Sequence, residues 1–213
     1  MALENKIENY VFFHLHKTGG TSLRALLDGK EVVSNHCPAV RVKHHYRLHN
    51  ELAFWGRAFK FAMVRNPYDR MVSLYYHLLN DVSHPYNWVA RGMTFEDFVI
   101  NFEEKAFRNE AVKVLDFYFF DTSWSYVSDP ETGELLLDKI YQLERFDAAV
   151  EDISERIGVE AFSFKLNRSV LRPKEKSTMD HYSEKTTEIV NRLFAEDFEH
   201  FNYQIITPKK KVA

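Results

Sequence analysis

Short apolar runs and helical repeats alternate along the chain. The first run, Tyr10 to Leu15, is continuous enough to predict a buried strand. After a glycine-rich loop, Leu23, Leu26 and Leu27 recur on one face of a predicted helix. Gly29 is placed to end that helix. The order of elements is therefore strand, loop, helix.

The same order recurs further along the chain. Phe59 to Val64 is typical of a buried strand, and Asn66 and Pro67 suit the N-cap and the first position of a helix. The apolar positions of that helix are Met71, Leu74, Tyr75 and Leu78. Two such units predict an α/β fold in which helices flank a parallel sheet and ligands bind at the carboxyl ends of the strands.

The rest of the sequence extends this pattern within one predicted domain, residues 1–213. We predict strands over Val114 to Phe120 and Leu135 to Leu143, with a turn at residues 129–133 before the second. Helices are predicted after the N-cap Thr94, before Gly158, and near the end of the chain. Their apolar stripes are Phe95, Phe98, Val99 and Phe102; Phe146, Val150, Ile153 and Ile157; and Val190, Phe194, Phe198 and Phe201.

Composition narrows the class of protein. Of the 213 residues, 15% are aromatic, which predicts a globular chain, and the net charge of −3 gives no support for nucleic-acid binding. The one cysteine, Cys37, excludes an intramolecular disulfide and suits a reducing compartment. We expect no membrane span, a cytoplasmic location and a flexible basic tail at residues 208–213. A chain trimmed of an anchor would give the same pattern.

The loop between the first strand and helix has the features of an anion site. It contains Lys17, Thr18, Gly19, Gly20, Thr21 and Ser22. Backbone N–H groups at a helix N-terminus attract anions, and the glycines let a ligand approach the backbone closely. The lysine precedes the glycines, so the Walker A order is absent. A glycine turn that only caps the helix is the alternative interpretation.

The segment from His14 to Leu23 resembles the 5′-phosphosulfate loop of sulfotransferases that use 3′-phosphoadenosine 5′-phosphosulfate (PAPS). The similarity is greatest to the carbohydrate branch, which includes heparan sulfate 2-O- and chondroitin-type enzymes and bacterial relatives. The resemblance implies a P-loop-like nucleotide-binding fold, PAPS bound by Lys17 through Ser22, and 3′,5′-ADP as product, with no metal expected. In that family the loop lysine stabilises the departing phosphate.

A second anion site is predicted after the second strand. Arg65 at the strand end and Ser73 in the next helix resemble the same family's 3′-phosphate motif. A guanidinium can grip phosphate through two hydrogen bonds. Arg70, Ser73 and His77 are spaced to share one polar stripe. A capped surface helix with ordinary salt bridges is the alternative.

Sulfuryl transfer to a hydroxyl group needs a base, and histidine suits that role. Lys43-His44-His45 lies between the two anion motifs, where the resembling family places its base after a lysine. His44 is our first candidate and His45 the second, and either could instead be a surface or packing histidine. His14 and His16 flank the loop lysine and could orient phosphate.

Other features leave alternatives open. The stretch Asn167 to Ser177 could fold over a bound nucleotide or be a plain surface loop. Aromatic residues that could stack on a sugar are Trp55, Trp88, Trp124 and Tyr86. A zinc site is conceivable from His36, Cys37, His45 and His49, although no paired metal motif accompanies them. Looser family resemblance continues through residues 141–147, 166–169 and 195–203.

The sequence therefore predicts a sulfotransferase that moves a sulfuryl group from PAPS to a hydroxyl, on a glycan or small sugar-containing acceptor. A P-loop-like kinase or NTPase is the alternative enzyme, and it lacks both the Walker A order and an evident magnesium-binding acidic motif. A non-catalytic nucleotide-binding module is the third class, against which Lys17 and His44 argue.

Overall fold

The computed structural model describes residues 9–27, 32–84, 87–104, 121–160 and 172–208. Two compact units make up the chain. The first contains Met1–Arg65 and Ser123–Asn167, and the second contains Asn66–Thr122 and Arg168–Ala213.

A parallel sheet forms the centre of the first unit. Its strands are β1 (Tyr10–His14), β2 (Val32–Asn35), β3 (Phe59–Val64) and β4 (Lys139–Gln142), in the spatial order β2-β1-β3-β4. All three pairings are parallel, with Val11 opposite Val32 and Lys60. The carboxyl ends of β1 and β3 therefore lie side by side at one edge of the sheet, as the two strand–loop–helix units predicted.

The described residues also form helices, which are divided between the two units. They are α1 (Gly20–Leu27), α2 (Ala39–Leu48), α3 (Leu52–Arg57), α4 (Pro67–Asn80), α5 (Phe95–Glu103), α6 (Ser123–Val127), α7 (Phe146–Ile157), α8 (Glu184–Leu193) and α9 (Ala195–His200).

The sheet of the first unit is covered on both faces. Phe12 and Phe61 pack with Leu23 of α1 and with the apolar stripe of α7, and all of these side chains are buried. Successive strand residues point to opposite faces, and the neighbouring Phe13 meets Trp55 of α3 with ring centroids 6.2 Å apart. The predicted α/β arrangement, a parallel sheet flanked by helices, is confirmed.

The described part of the second unit is helical and has its own core. The apolar stripes of α4, α5, α8 and α9 meet there, with Tyr68, Leu78, Phe98 and Phe198 among the buried side chains. The predicted N-caps are confirmed. The Asn66 side chain accepts a hydrogen bond from the Tyr68 backbone N–H, and Thr94 forms a capping box.

Two predicted elements differ in extent. The last helix is divided at Phe194, where α8 ends and α9 begins, and the predicted apolar residues are buried on both sides of the break. The strand predicted over Leu135 to Leu143 narrows to β4. Leu135 pairs instead with Ser128, and the backbone N–H of Leu136 donates to Val127, so this part of the backbone is bonded away from β3.

Some predictions concern residues outside the described ranges. They are the helix stop at Gly29, the strand Val114 to Phe120, Tyr86, the first part of Asn167 to Ser177, and most of the basic tail. Within the described part of the chain, no helix combines the length and the apolar character needed to cross a membrane.

Candidate functional site

The glycine loop has an unusual backbone path between β1 and α1. Lys17 has φ +62° and Gly19 has φ +81°, both in the left-handed region. For a lysine this conformation costs about 1–2 kcal/mol, so the surrounding contacts must hold it. Turns of this kind direct successive N–H groups toward one point and favour an anion there.

Hydrogen bonds within the loop hold that path. The Thr18 hydroxyl donates to the Leu15 carbonyl at 3.0 Å, and Thr18 is buried. The Gly19 carbonyl accepts from the backbone N–H groups of Ser22 at 3.1 Å and Leu23 at 3.3 Å. Thr21 is exposed. The Thr18 hydroxyl is therefore used to close the loop, and the backbone amides of Gly20 and Thr21 at the start of α1 are left as donors among the described residues.

The two glycines of the loop have no room for a side chain. A Cβ on Gly19 would lie 2.5 Å from Cδ1 of Leu143, which follows β4. A Cβ on Gly20 would lie 2.0 Å from Cδ2 of His14 and 2.3 Å from its Nε2. The His14 ring therefore touches the first residue of α1, at the point where the helix amides begin.

Lys17 is the cation of this loop. Burial, together with the nearby Arg65 charge, lowers the pKa of the Lys17 ammonium to about 8. Among the described residues the ammonium has no carboxylate partner. A partly desolvated cation without a counter-ion is well suited to meet an anionic ligand.

Arg65, the first residue of the second predicted motif, lies beside the glycine loop. It follows the last residue of β3, and its Nη1 donates to the Lys17 carbonyl oxygen at 3.2 Å. The side chain can reach the loop because β3 pairs directly with β1. Two cations thus lie at the carboxyl edge of the sheet.

The helix after Arg65 differs from the predicted polar stripe. Ser73 and His77 are half-buried on α4, whereas Arg70 is buried. In the second unit its Nη1 lies 3.7 Å from Oδ2 of buried Asp197, and its Nη2 donates to the Asp121 carbonyl at 2.9 Å. Arg70 is therefore part of the packing of that unit and does not belong to an exposed stripe.

The predicted base lies on α2 in the first unit. His44 is exposed and makes no hydrogen bond or ion pair with another described residue. His45 is also exposed, and its ring faces His49 with centroids 4.3 Å apart. No contact in the described structure joins either histidine to the loop, so the assignment of the base stays a prediction.

Comparison with known proteins adds the family. Residues 5–204 match the model of the Sulfotransferase family. The chain belongs to this family. No curated protein and no solved structure gives a significant match. The loop of Lys17 and the neighbouring Arg65 are therefore features of a sulfotransferase, an enzyme class that transfers sulfuryl groups to hydroxyl-bearing acceptors.

The structure of this sulfotransferase also assembles a histidine cluster that the sequence did not predict. His36 follows β2 and stacks on His16 with centroids 3.6 Å apart, and it faces His14 at 4.6 Å. Burial is the main reason why the pKa of His14 is lowered to about 4, and it is also the main cause that lowers the pKa of His36. The sequence signal for this cluster is the position of His36 directly after β2, because the carboxyl ends of neighbouring parallel strands lie at the same edge of a sheet.

Two other sequence hypotheses can be compared with the structure. In the described ranges, no three His, Cys, Asp or Glu side chains are grouped closely enough to hold a metal ion. The ring of His45 on α2 contacts that of His49, which follows α2, while His36 belongs to the cluster beside the loop. Of the tryptophans proposed to stack on sugar, Trp55 is buried and excluded from that role, Trp124 is half-buried, and Trp88 is 48% exposed.

Proposed function

We propose that this sulfotransferase transfers the sulfuryl group of PAPS to a hydroxyl group of a carbohydrate acceptor and releases 3′,5′-ADP. One observation supports the proposal most strongly. The side chain of Arg65, the first residue of the second predicted motif, contacts the backbone of Lys17 in the glycine loop. PAPS has phosphate groups at both ends of its ribose and suits such a double site.

The glycine loop is proposed to bind the phosphosulfate end. In this proposal, residues Lys17 to Ser22 surround the anion, and the backbone amides of Gly20 and Thr21 at the start of α1 donate to it. The acceptor oxygen forms a new S–O bond as the S–O bond to the phosphate breaks, and the electron pair stays on the phosphate. Lys17 stabilises the charge that grows on this leaving group.

Arg65 and Ser73 are proposed to bind the 3′-phosphate. The guanidinium supplies a charge-assisted hydrogen bond and the serine a hydroxyl donor. The support for Ser73 is its position in the sequence motif after Arg65, together with its half-buried place on α4. This pair would distinguish 3′,5′-ADP from nucleotides that lack a 3′-phosphate.

His44 is proposed as the general base. A neutral imidazole takes the proton of the acceptor hydroxyl as the new S–O bond forms. The support is its place after Lys43 between the two anion motifs, together with its exposure on α2, which leaves the ring accessible to an acceptor. His45, also exposed, is the second candidate.

A carbohydrate is the proposed acceptor class. The support is the resemblance of the loop to carbohydrate sulfotransferases, and Trp88 offers an exposed ring to a sugar face. The net charge of −3 does not favour a highly sulfated polymer, so neutral glycans belong at the head of an acceptor screen.

Nucleotide preference tests the proposal. The melting temperature of the protein should rise much more with 3′,5′-ADP than with ATP or 5′-ADP at the same concentration, because the ligand that binds the folded state more tightly stabilises it more. Incubation with PAPS and hydroxylated acceptors should then release 3′,5′-ADP and give a sulfated product. Equal shifts with all three nucleotides would contradict the PAPS assignment and favour a generic nucleotide site.

A further inference from the structure

Three histidines surround the glycine loop, and the proposed reaction uses none of them. His14 ends β1, His16 lies next to Lys17, and His36 follows β2. His36 has φ +53°, a left-handed conformation, and its backbone N–H donates to the His14 carbonyl at 3.2 Å. The chain therefore turns back at His36 and brings its ring to His14 and His16.

The ring of His14 is confined and incompletely bonded. It stacks on Phe12 at 5.8 Å on one side, meets His36 at 4.6 Å, and touches Gly20 at the start of α1. Its Nδ1 is buried and has no hydrogen-bond partner among the described residues. A buried imidazole nitrogen without a partner is costly unless a ligand or a proton uses it.

The His36 ring lies close enough to that of His14, with centroids 4.6 Å apart, for a charge on one to affect the other. The carbonyl oxygen of His14 favours a proton on the His36 ring, although no well-formed hydrogen bond joins Nδ1 of His36 to it among the described residues. The nearly parallel His16 ring, 3.6 Å away, gives an imidazolium an aromatic face to stack on. Tyr126 of α6 donates to the His36 carbonyl at 3.4 Å.

Among the described residues, the charges that act on the pair are positive before a ligand binds. Lys17 of the loop and Arg24 of α1 both oppose a proton on His14 and on His36. The two imidazoles also oppose each other's protonation, so the pair titrates as a unit. An anion bound to the loop would reverse this balance because it neutralises the cations and attracts a further one.

We infer that His14 and His36 form a histidine pair that takes up about one proton when the phosphosulfate end of the nucleotide binds, and so adds a cation to the glycine loop. The inference rests on the proposed nucleotide site and adds two binding residues to it. Nucleotide binding is then coupled to proton uptake, so protonation of the pair at lower pH increases the affinity for the nucleotide.

The pair can be tested by NMR titration of the histidine ring protons from about pH 3 to about pH 8, a range that includes the lowered pKa of His14 in the free protein. Spectra are recorded for the free protein, with sulfate, and with 3′,5′-ADP, and His14→Gln and His36→Asn assign the signals. Sulfate does not titrate in this range. The midpoint of the pair should rise by about one to three pH units with either anion. Midpoints that stay or fall with bound anion would overturn the inference.

Affinity gives an independent readout. The ratio of the 3′,5′-ADP affinity at about pH 6 to that at about pH 8 should be higher for the wild-type protein than for His36→Asn. The titrations of Lys17 and of the ligand's own phosphates are common to both proteins and cancel in the comparison. Asparagine tolerates the positive φ at this position. Should that variant not fold, the wild-type titration still decides, with signals assigned by triple-resonance spectra.

The outcomes separate this inference from the proposed function. Binding of 3′,5′-ADP without a shift of the midpoints rejects the histidine pair and keeps the nucleotide site. A shift with sulfate but no binding of 3′,5′-ADP keeps the pair as an anion-binding element and rejects the nucleotide assignment. Failure of both anions to bind rejects both.

Discussion

Arg65 donates a hydrogen bond to the carbonyl oxygen of Lys17 at 3.2 Å. This bond joins residues that follow two neighbouring parallel strands, and it helps to hold Lys17 in its left-handed conformation. The Arg65 guanidinium also lowers the pKa of the Lys17 ammonium. Both the shape and the charge of the site depend on this contact.

Replacement of Arg65 tests its role in binding. Arg65→Ala should weaken 3′,5′-ADP binding by roughly 10- to 150-fold, because a hydrogen bond to a charged group contributes about 1.5–3 kcal/mol. Arg65→Lys should recover only part of this, since an ammonium cannot form two parallel bonds to phosphate. Calorimetric titration measures the affinities, and Arg57→Ala, an exposed position in α3, is the control. Wild-type affinity in Arg65→Ala would contradict the second anion site.

The pKa of Lys17 predicts an alkaline limb in the rate. The ammonium form stabilises the leaving phosphate, so kcat/KM for PAPS should fall as the pH rises above about 8, the pKa of Lys17 in the free protein. Lys17→Ala should lower kcat by about 10²–10³-fold, the loss that follows in other enzymes when one hydrogen-bond donor to a developing anion is removed.

The matched variant for this limb is Lys17→Arg. Its guanidinium does not titrate in the accessible range, so the fall above about pH 8 should disappear even if the overall rate is lower. An unchanged alkaline limb in Lys17→Arg would show that another group titrates there.

The general base is tested by comparing neighbouring histidines. His44→Ala should lower turnover by about 10²–10⁴-fold and leave 3′,5′-ADP affinity nearly unchanged, because the base serves the acceptor. His45→Ala, an equally exposed neighbour on α2, should retain turnover. The reverse result would assign the base to His45, and no effect from either variant would place the base elsewhere.

The close contact between Gly20 and His14 predicts a steric defect. In Gly20→Ala the new Cβ would lie 2.0 Å from the His14 ring, which Phe12 and His36 confine, so the loop must shift and nucleotide affinity should fall. Gly56→Ala in α3 is the control because a Cβ there meets nothing within 4 Å. Affinity should partly return in the double variant Gly20→Ala/His14→Ala. A Gly20→Ala protein with wild-type affinity would show that the contact is unimportant.

Arg70 should contribute to stability, in contrast to Arg65. Removal of one member of the buried Arg70–Asp197 pair leaves an uncompensated charge, so Asp197→Ala should lower the free energy of unfolding by about 3–5 kcal/mol. Glu103→Ala breaks the more exposed pair with Arg192 and should cost less than about 1 kcal/mol. Urea unfolding measures both, and equal losses in the two variants would contradict the buried role of Arg70.

Local patterns in the sequence determined many of the strands, helix starts and loops of this protein. The apolar run Phe59–Val64 gave β3 its bounds, and Asn66 and Pro67 predicted the start of α4, because strand burial and helix capping depend on neighbouring residues. The glycine loop was recognisable for the same reason. Its residues are contiguous, and the strand before it and the helix after it have strong periodicity.

Only the tertiary structure decided which distant residues meet. Strand order placed Arg65 against Lys17, and β2 beside β1 brought His36 to His14, whereas helix packing buried Arg70 with Asp197. Periodicity reports which face of an element is apolar, but it does not say which element covers that face. A buried ion pair and a shared proton site depend on contacts between residues far apart in the chain, and these form only when the sheet and the helices pack.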